Sequence, residues 1–356
     1  MFVFRHGGRR AITSILPFIP RTSTLAKRCY ASRIDVPFTP PPVPVIDQCP
    51  SPTCQCRESP PGLDIEREQD LNGSMPTYAE QVLISTGRSN WPSKIDEDEG
   101  EDSALVGQLR KNLLRDGKYS DPYHNIMLTN SSIPPTESPS HHNKEATPTP
   151  PPASAFLLPS FQYVPTIPTD PPSVEDFIKA FVLPAKLHKI HNTLSRAQQN
   201  ILLRQPDRQK QFPGARPINE ILILICGHGN RDARCGTLGP ILQAEFEDKL
   251  QRQNIAILRD PPVAEAEVVD TAVEGYVPTA RVGLISHIGG HKWAGNVIVY
   301  IPPSFQRNSL AGKGIWYGRV GPEHVEGIVG KTVLDGKVIK ELFRGGIDGE
   351  REVIRL

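Results

Sequence analysis

The clearest hydrophobic run in the chain covers residues 221–225 and ends in Cys226 and a glycine-bearing loop. An unbroken apolar run of this length, closed by polar residues and glycine, is typical of a buried central strand. Beyond the loop, apolar residues recur at helical spacing at Leu242, Phe246 and Leu250. Pro240 suits the first turn of that helix. The pattern predicts a strand that ends at Cys226 and a helix that begins just after Cys235.

A second apolar stretch, residues 281–286, leads into His287, a Gly-Gly pair and His291, and residues 297–301 then resume the apolar pattern. The spacing of the two histidines would place them on one helix face, but two central glycines argue against a helix. We therefore predict a loop between two strands. Its glycines allow close approach of the backbone and inward-pointing imidazoles.

The first half of the chain carries a weaker pattern of the same kind. Residues 80–85, 125–129 and 155–158 have the composition of strands, and leucines at 105, 109 and 113 predict a helix that stops at Gly117. The acidic run 96–102 is interpreted as a solvated loop. These elements suggest a degenerate α/β unit resembling the second one.

The region from Pro134 to Pro172 is rich in proline, serine and threonine, and it includes His141 and His142. Such a composition predicts a disordered linker or surface insertion, in which both histidines are solvated. Ser173 then opens a helix through a capping box, and the helix runs until Pro184.

Composition limits the remaining possibilities. The 356 residues are 38% hydrophobic with 37 prolines, and the formal net charge is +1. Residues 1–30 are basic and contain no acid, which is typical of a mitochondrial presequence cleaved after Tyr30. The remaining chain is then acidic, which argues against nucleic-acid binding. No apolar run is long enough to span a membrane. A mitochondrial location follows, and the matrix is favoured over the intermembrane space because no apolar sorting stop follows the presequence.

Cys226, Cys235, His287 and His291 form a candidate four-ligand metal site. Two thiolates and two imidazoles suit either a [2Fe-2S] cluster or a tetrahedral zinc ion. Structural zinc sites usually take cysteines two to four residues apart, so the longer gap here favours iron and sulfur without excluding zinc. Cys226-Gly-His228 imitates half of a Rieske site, but no second such element exists. His228 is therefore interpreted as a hydrogen-bonding neighbour and not as a ligand.

These motifs resemble the sucrase/ferredoxin-like group of thioredoxin-like [2Fe-2S] proteins. The resemblance is carried by Cys-x-His-x2-Arg-Asp-x-Arg-Cys-Gly from Cys226, by His-x-Gly-Gly-His with Trp293-Ala-Gly-Asn following, and by Trp316-Tyr-Gly-Arg-Val. Upstream it extends through residues 49–56 and 82–91, so it covers most of residues 46–345. Asn90 stands where the family's upstream motif has aspartate.

The resemblance implies a fold and a ligand set. The fold would be α/β, with tandem thioredoxin-like domains of which the second is a thioredoxin-like ferredoxin, separated by the proline-rich disordered spacer. The [2Fe-2S] ligands would be Cys226, Cys235, His287 and His291. Histidine ligation raises the reduction potential above that of an all-cysteine cluster, and the imidazoles could couple electron transfer to proton uptake.

Three cysteines lie close together upstream, at Cys49, Cys54 and Cys56. They could form a second metal site, a group of redox thiols or an exposed disulfide, and redox thiols or a structural pair are favoured because no fourth ligand is evident. Cys29 would be removed with the presequence.

The predicted organisation is a presequence (1–30), a degenerate thioredoxin-like domain (31–133), a linker (134–172), a thioredoxin-like [2Fe-2S] domain (173–345) and a C-terminal tail (346–356). The predicted function is electron transfer or redox sensing with unknown redox partner proteins, and an enzyme with its own substrate is disfavoured. A zinc-stabilised protein-binding scaffold and a thiol oxidoreductase that uses the upstream cysteines remain alternatives. Side chains that could shield the cluster or offset its charge are Trp293, Trp316, Arg231, Arg234 and Arg319.

Overall fold

Fourteen strands and five α-helices build the protein in the computed structural model, which describes residues 40–95, 103–136, 151–263 and 277–356. The predicted presequence, Cys29, the acidic loop 96–102, His141 and His142 lie outside the described residues. The strands are β1 (Val45–Ile46), β2 (Glu80–Ser85), β3 (Ile126–Ser131), β4 (Ala153–Leu158), β5 (Gln162–Ile167), β6 (Arg216–Pro217), β7 (Ile221–Cys226), β8 (Ala256–Ile257), β9 (Thr279–Ile285), β10 (Val297–Ile301), β11 (Lys313–Tyr317), β12 (Val338–Ile339), β13 (Phe343–Ile347) and β14 (Val353–Ile354). The α-helices are α1 (Ala104–Leu113), α2 (Pro171–Phe177), α3 (Arg196–Leu202), α4 (Ala233–Arg252) and α5 (Pro322–Ile328).

One mixed sheet runs through the described part of the chain, in the order β14-β13-β11-β10-β7-β9-β3-β2-β4-β5-β6, with β8 also paired to β9. A second, two-stranded sheet joins β1 to β12. Pro41–Leu356 form one compact unit. The protein is thus a mixed α/β protein, as the sequence predicts.

The same strand order occurs twice in this sheet. The first half has the order β3-β2-β4-β5 and the second half β9-β7-β10-β11. In each half the first two strands in sequence are parallel and the other pairings are antiparallel. The helix after the last strand of each half, α2 or α5, continues into a π-helical turn. Each half therefore repeats one βαβββα arrangement.

The two halves meet where β3 and β9 run antiparallel, through the pair Ser131 and Ile285. Each of these residues is the last of its strand, so the strands overlap only at their carboxyl ends. Loops that follow parallel strands lie at the same edge of a sheet. Because of this overlap, the carboxyl-end loops of both halves converge at one seam.

The central strand β7 is buried along its whole length, as its aliphatic sequence predicts. Alternate residues face opposite sides of the sheet: Ile223 packs in a core with Leu242 and Phe246 of α4, and Leu224 packs on the other side. Cys226 lies on the same side as Leu224.

The predicted strands at 80–85, 125–129 and 155–158 are confirmed within a residue or two as β2, β3 and β4. The predicted helix around Leu109 is also found, but it ends at Leu113 and does not reach Gly117.

Several other expectations are wrong. The segment 134–172 is not a structureless linker throughout, because β4, β5 and the start of α2 lie in its second part, which the structure describes from residue 151. Buried apolar residues in β4 and β5 pair with the first half of the sheet, although prolines stand between and beside the two strands. The predicted C-terminal tail also contributes strand β14 to the sheet.

Two predicted helix starts are also displaced. Helix α2 begins at Pro171, where the Asp170 side chain accepts the Ser173 N–H, so Asp170 and not Ser173 is the cap. Helix α4 begins at Ala233, which puts Pro240 inside the helix and Cys235 in its first turn.

Candidate metal centre at the seam

Cys226 and Cys235 come together because the loop after β7 packs closely on the first turn of α4. A Cβ atom on Gly236 would lie 2.5 Å from the Cα of Gly229, so only glycine permits this approach. Both cysteines are 1% exposed. The strand end and the helix start thus place two thiols in one buried position, as the sequence predicts.

The contact between the two thiols polarises them. A hydrogen bond with Cys235 lowers the pKa of Cys226 well below its ordinary value, against the effect of burial, and the nearby His287 imidazole lowers it further. The same contact, together with burial, raises the pKa of Cys235. The contact therefore favours one thiolate within the pair, and the thiolate is the form of cysteine that binds metals.

His287 and His291 lie in the loop after β9, and His291 begins a short 3₁₀ turn that ends at Trp293. Gly289 and Gly290 have left-handed φ angles of 83° and 76°, which turn the chain between the two histidines. The centroids of the two imidazole rings are 5.3 Å apart. The predicted glycine loop between two strands is confirmed.

The Nδ1 atom of His287 is buried and has no hydrogen-bond partner among the described residues. Buried polar atoms are nearly always paired, and an unpaired one calls for an unseen partner such as a metal. His291, by contrast, is exposed. The histidine pair therefore has one nitrogen directed into the protein and one ring at the surface.

His228 connects this site to the first half of the chain. Its Nδ1 accepts the backbone N–H of His287 at 3.1 Å, so Nδ1 carries no proton. Its Nε2 lies 2.9 Å from the carbonyl oxygen of Trp91 and 3.0 Å from that of Pro92, which can only accept. One tautomer of a neutral ring satisfies both contacts, and burial lowers the pKa of His228. Both ring nitrogens are occupied, which agrees with the interpretation of His228 as a neighbour of the ligands.

Arg344 of β13 was missed by the sequence reasoning. It is 1% exposed and donates to the Asn296 side chain at 2.6 Å and to the Gly289 carbonyl at 3.2 Å. Burial lowers the pKa of Arg344 to about 10, and the charge of Cys226 and Cys235 acts in the opposite direction. A lone arginine within the buried segment 343–347 is the one sequence signal that could have identified it.

The arginines proposed from sequence have other partners. Arg231 donates to the Ser93 hydroxyl at 3.5 Å, Arg234 to the Asp232 carboxylate at 2.8 Å, and Arg319 to the Glu66 carboxylate at 2.7 Å. The Trp293 indole N–H donates to the same Glu66 side chain at 2.7 Å. These contacts fix the loops around the site.

A cavity of about 220 Å³ borders the site. His228, Ser286 and His287 line one side of it, and apolar residues including Val106 and Leu128 of the first half line the other. The cavity thus lies at the seam, with His287 in its wall.

The four predicted ligands form two contacting pairs, Cys226 with Cys235 and His287 with His291, and Cys226 also contacts His287. Within the described ranges, no three His, Cys, Asp or Glu side chains are arranged as a site for a single ion. Two thiols, two imidazoles and the unpaired His287 nitrogen fit a centre of two metal ions, each of which binds two protein ligands.

The upstream cysteines lie elsewhere. Cys49, Cys54 and Cys56 are free thiols and half-buried, so the disulfide expected as one alternative is not formed. Cys49 contacts α5 through a hydrogen bond to the His324 carbonyl, whereas Cys54 contacts Lys249 near the end of α4.

The protein thus combines a mixed α/β fold with a buried cysteine pair and a histidine pair at one edge of the sheet. The chain belongs to the sucrase/ferredoxin-like family, whose model matches residues 71–345. This confirms the family resemblance drawn from the motifs.

Similar curated proteins carry the name altered inheritance of mitochondria protein 32. That of Debaryomyces hansenii is 30% identical over 316 residues, which cover 85% of this chain and 96% of the relative. That of Clavispora lusitaniae is 30% identical over 318 residues, which cover 84% and 95%. A Saccharomyces cerevisiae protein is 36% identical over 126 residues, which cover 35% and 32%. No solved structure matches the chain.

Proposed function

We propose that the protein is a [2Fe-2S] protein of electron transfer or redox sensing, in which Cys226 and Cys235 hold one iron and His287 and His291 the other. One observation carries the proposal: the four side chains form two contacting pairs, and a buried His287 nitrogen is left unpaired. Each iron of such a cluster takes two protein ligands, so two pairs suit it.

We also propose that both halves are thioredoxin-like folds and that the first is degenerate. The repeated strand order, with two parallel strands followed by an antiparallel pair and a helix, supports this. The connection after β2 carries Asn90 and Trp91, whereas the end of β7 and the start of α4 carry the two proposed cysteine ligands. The first half would then serve to hold the second half's site.

A bound cluster would supply single-electron exchange at a potential above that of an all-cysteine centre. The protein's own residues would position the ligands and neutralise the charge of the thiolates. His228 holds the backbone of His287, and the buried guanidinium of Arg344 offsets the negative charge of the thiolates. His287 in the cavity wall and the exposed His291 provide the shortest routes between the site and a partner.

The location proposed is the mitochondrion, and the matrix in particular. The acid-free basic start of the chain and the names of the relatives support the mitochondrion. The matrix is proposed because no apolar sorting stop follows the basic segment. No helix within the described residues is long and apolar enough to cross a membrane. Protease treatment of intact mitochondria and of mitoplasts tests the compartment, since a matrix protein survives both; digestion in mitoplasts would move it to the intermembrane space.

The cluster is tested by purifying the chain without oxygen and measuring iron, sulfide and zinc together with the visible spectrum. We expect two irons and two sulfides per chain and a colour that bleaches on reduction. Cys226→Ser should abolish the bound iron and sulfide and the colour. Cys49→Ser, a matched change outside the site, should leave all of them intact. If the protein stays colourless and holds one zinc after reconstitution with iron and sulfide, the cluster proposal is wrong and a zinc-stabilised scaffold is the better proposal.

A further inference from the structure

Cys54 lies between a lysine and a glutamate in the segment that precedes the main sheet. Its Sγ accepts from the Lys249 ammonium at 2.9 Å and donates to the Glu326 carboxylate at 3.2 Å. Lys249 belongs to α4 and Glu326 to α5, so two helices hold the charged groups against one sulfur. Thr53 and Arg252 lie beside them in a cavity of about 200 Å³.

Lys249 is 2% exposed, which is rare for a lysine. Burial disfavours its charge, but hydrogen bonds with Cys54 and Glu245 together raise its pKa above the ordinary value. Glu245 is itself buried, lies 3.1 Å from the ammonium and also binds Arg57. The ammonium is therefore retained in contact with the Cys54 sulfur.

The other two upstream cysteines have different surroundings. The Cys49 thiol donates to the His324 carbonyl at 3.5 Å, and burial first, with two nearby glutamates, raises its pKa to about 12. The Cys56 thiol donates to the Cys54 carbonyl at 3.6 Å, and burial raises its pKa also. Both are set to remain protonated, and protonated thiols are poor nucleophiles.

We propose that Cys54 is a second redox site, a nucleophilic thiol that exchanges with low-molecular-weight disulfides. Its sulfur attacks one sulfur of the disulfide, and a mixed disulfide forms as the original S–S bond breaks. The departing thiolate takes up the proton that Cys54 releases, and the Glu326 carboxylate, which accepts the thiol proton in a hydrogen bond, retards that release. One disulfide is consumed and one is formed, so no further oxidant is needed. Lys249 is the positioning residue, because its ammonium contacts the attacking sulfur at 2.9 Å and offsets the negative charge that develops there.

The test is the reaction of the full chain with oxidised glutathione, followed by intact mass and peptide mapping. We expect one glutathionyl group, at Cys54, added about tenfold faster than at Cys56. Lys249→Met should slow this addition by roughly threefold to tenfold, because the thiolate loses its cation. Glu326→Gln should accelerate it, because the carboxylate that holds the thiol proton is gone.

The opposite signs of the two variants keep the test decisive even if Lys249→Met fails to fold. Equal modification of all three cysteines, or a Glu326→Gln rate equal to that of the unaltered chain, would overturn the proposal. The Cys54 proposal can fail independently of the cluster proposal, because Lys249 lies about 21 Å along α4 from Cys235. Cys54→Ser should lose the glutathionyl group and keep the visible spectrum, whereas Cys226→Ser should do the reverse.

Discussion

Replacing Gly290 with alanine should damage the histidine loop far more than the same change at Gly289. Both glycines have left-handed φ angles, 76° and 83°, so either substitution costs about 1 kcal/mol in backbone strain. They differ in the space around them. A Cβ at Gly290 would lie 2.7 Å from an Arg344 nitrogen and 2.9 Å from a ring carbon of Trp293, whereas nothing lies within 4 Å of one at Gly289.

Arg344 has no room to move away. Its guanidinium is held by the Asn296 side chain and the Ser74 carbonyl, and it is 1% exposed. Overpacking of this kind adds about 1–3 kcal/mol to the backbone cost. Gly290→Ala should therefore destabilise the protein by about 2–4 kcal/mol in total, against about 1 kcal/mol for Gly289→Ala.

Urea unfolding of both variants, followed by tryptophan fluorescence, measures this difference in the free energy of unfolding. Iron content after anaerobic purification adds a second readout, because displacement of Arg344 also disturbs the Gly289 carbonyl next to the histidines. Gly290→Ala should retain less iron than Gly289→Ala. Equal losses of stability in the two variants would refute the assigned contact with Arg344.

Two further predictions concern histidines outside the ligand set. His228→Ala leaves the His287 N–H without a partner and the Trp91 carbonyl with the Asn230 side chain alone, which should cost about 1–3 kcal/mol in urea unfolding and lower the iron content; unchanged values would show that the two halves are held together by other contacts. Burial lowers the pKa of His124 to about 4. The unfolded chain therefore binds more protons below about pH 6.5, and about 3 kcal/mol of stability is lost as the pH falls from there through 4. Unfolding free energies of the unaltered chain and of His124→Gln at pH 7.5 and 4.5 should differ in pH dependence by this amount, and parallel values would contradict it.

The second half of the protein was largely predictable, because its signals are local. The apolar run of β7 can form little but a buried strand, and the glycines before His291 exclude a helix. Both features depend on neighbouring residues alone. The positions of Cys226, Cys235 and the histidine loop followed from them.

Proline misled the prediction in two places. Pro240 was taken for a helix start, but Asp232 caps α4 eight residues earlier, and the helix accommodates the proline near its amino-terminal end. The prolines among residues 151–172 were taken for disorder, although apolar residues between them complete the first half of the sheet. Tertiary pairing outweighed composition in that segment.

Arg344 and the Cys54 environment could not be predicted because their partners are distant in sequence. Arg344 meets the loop of Gly289 from a strand 55 residues further along the chain. Lys249 reaches Cys54 across 195 residues. Only the folded sheet and helices bring such groups together.

The overlap of β3 and β9 at their carboxyl ends has a consequence for how the protein matures. His228 and Trp91 are 137 residues apart, and the same His228 ring accepts the backbone N–H of His287. Contacts of such long range form late in folding, since the closure of long loops must come first. The histidine loop is therefore a product of the whole chain, and a fragment that carried all four ligands without the first half would lack the support that orients them. Metal loading would then report that synthesis and folding are complete.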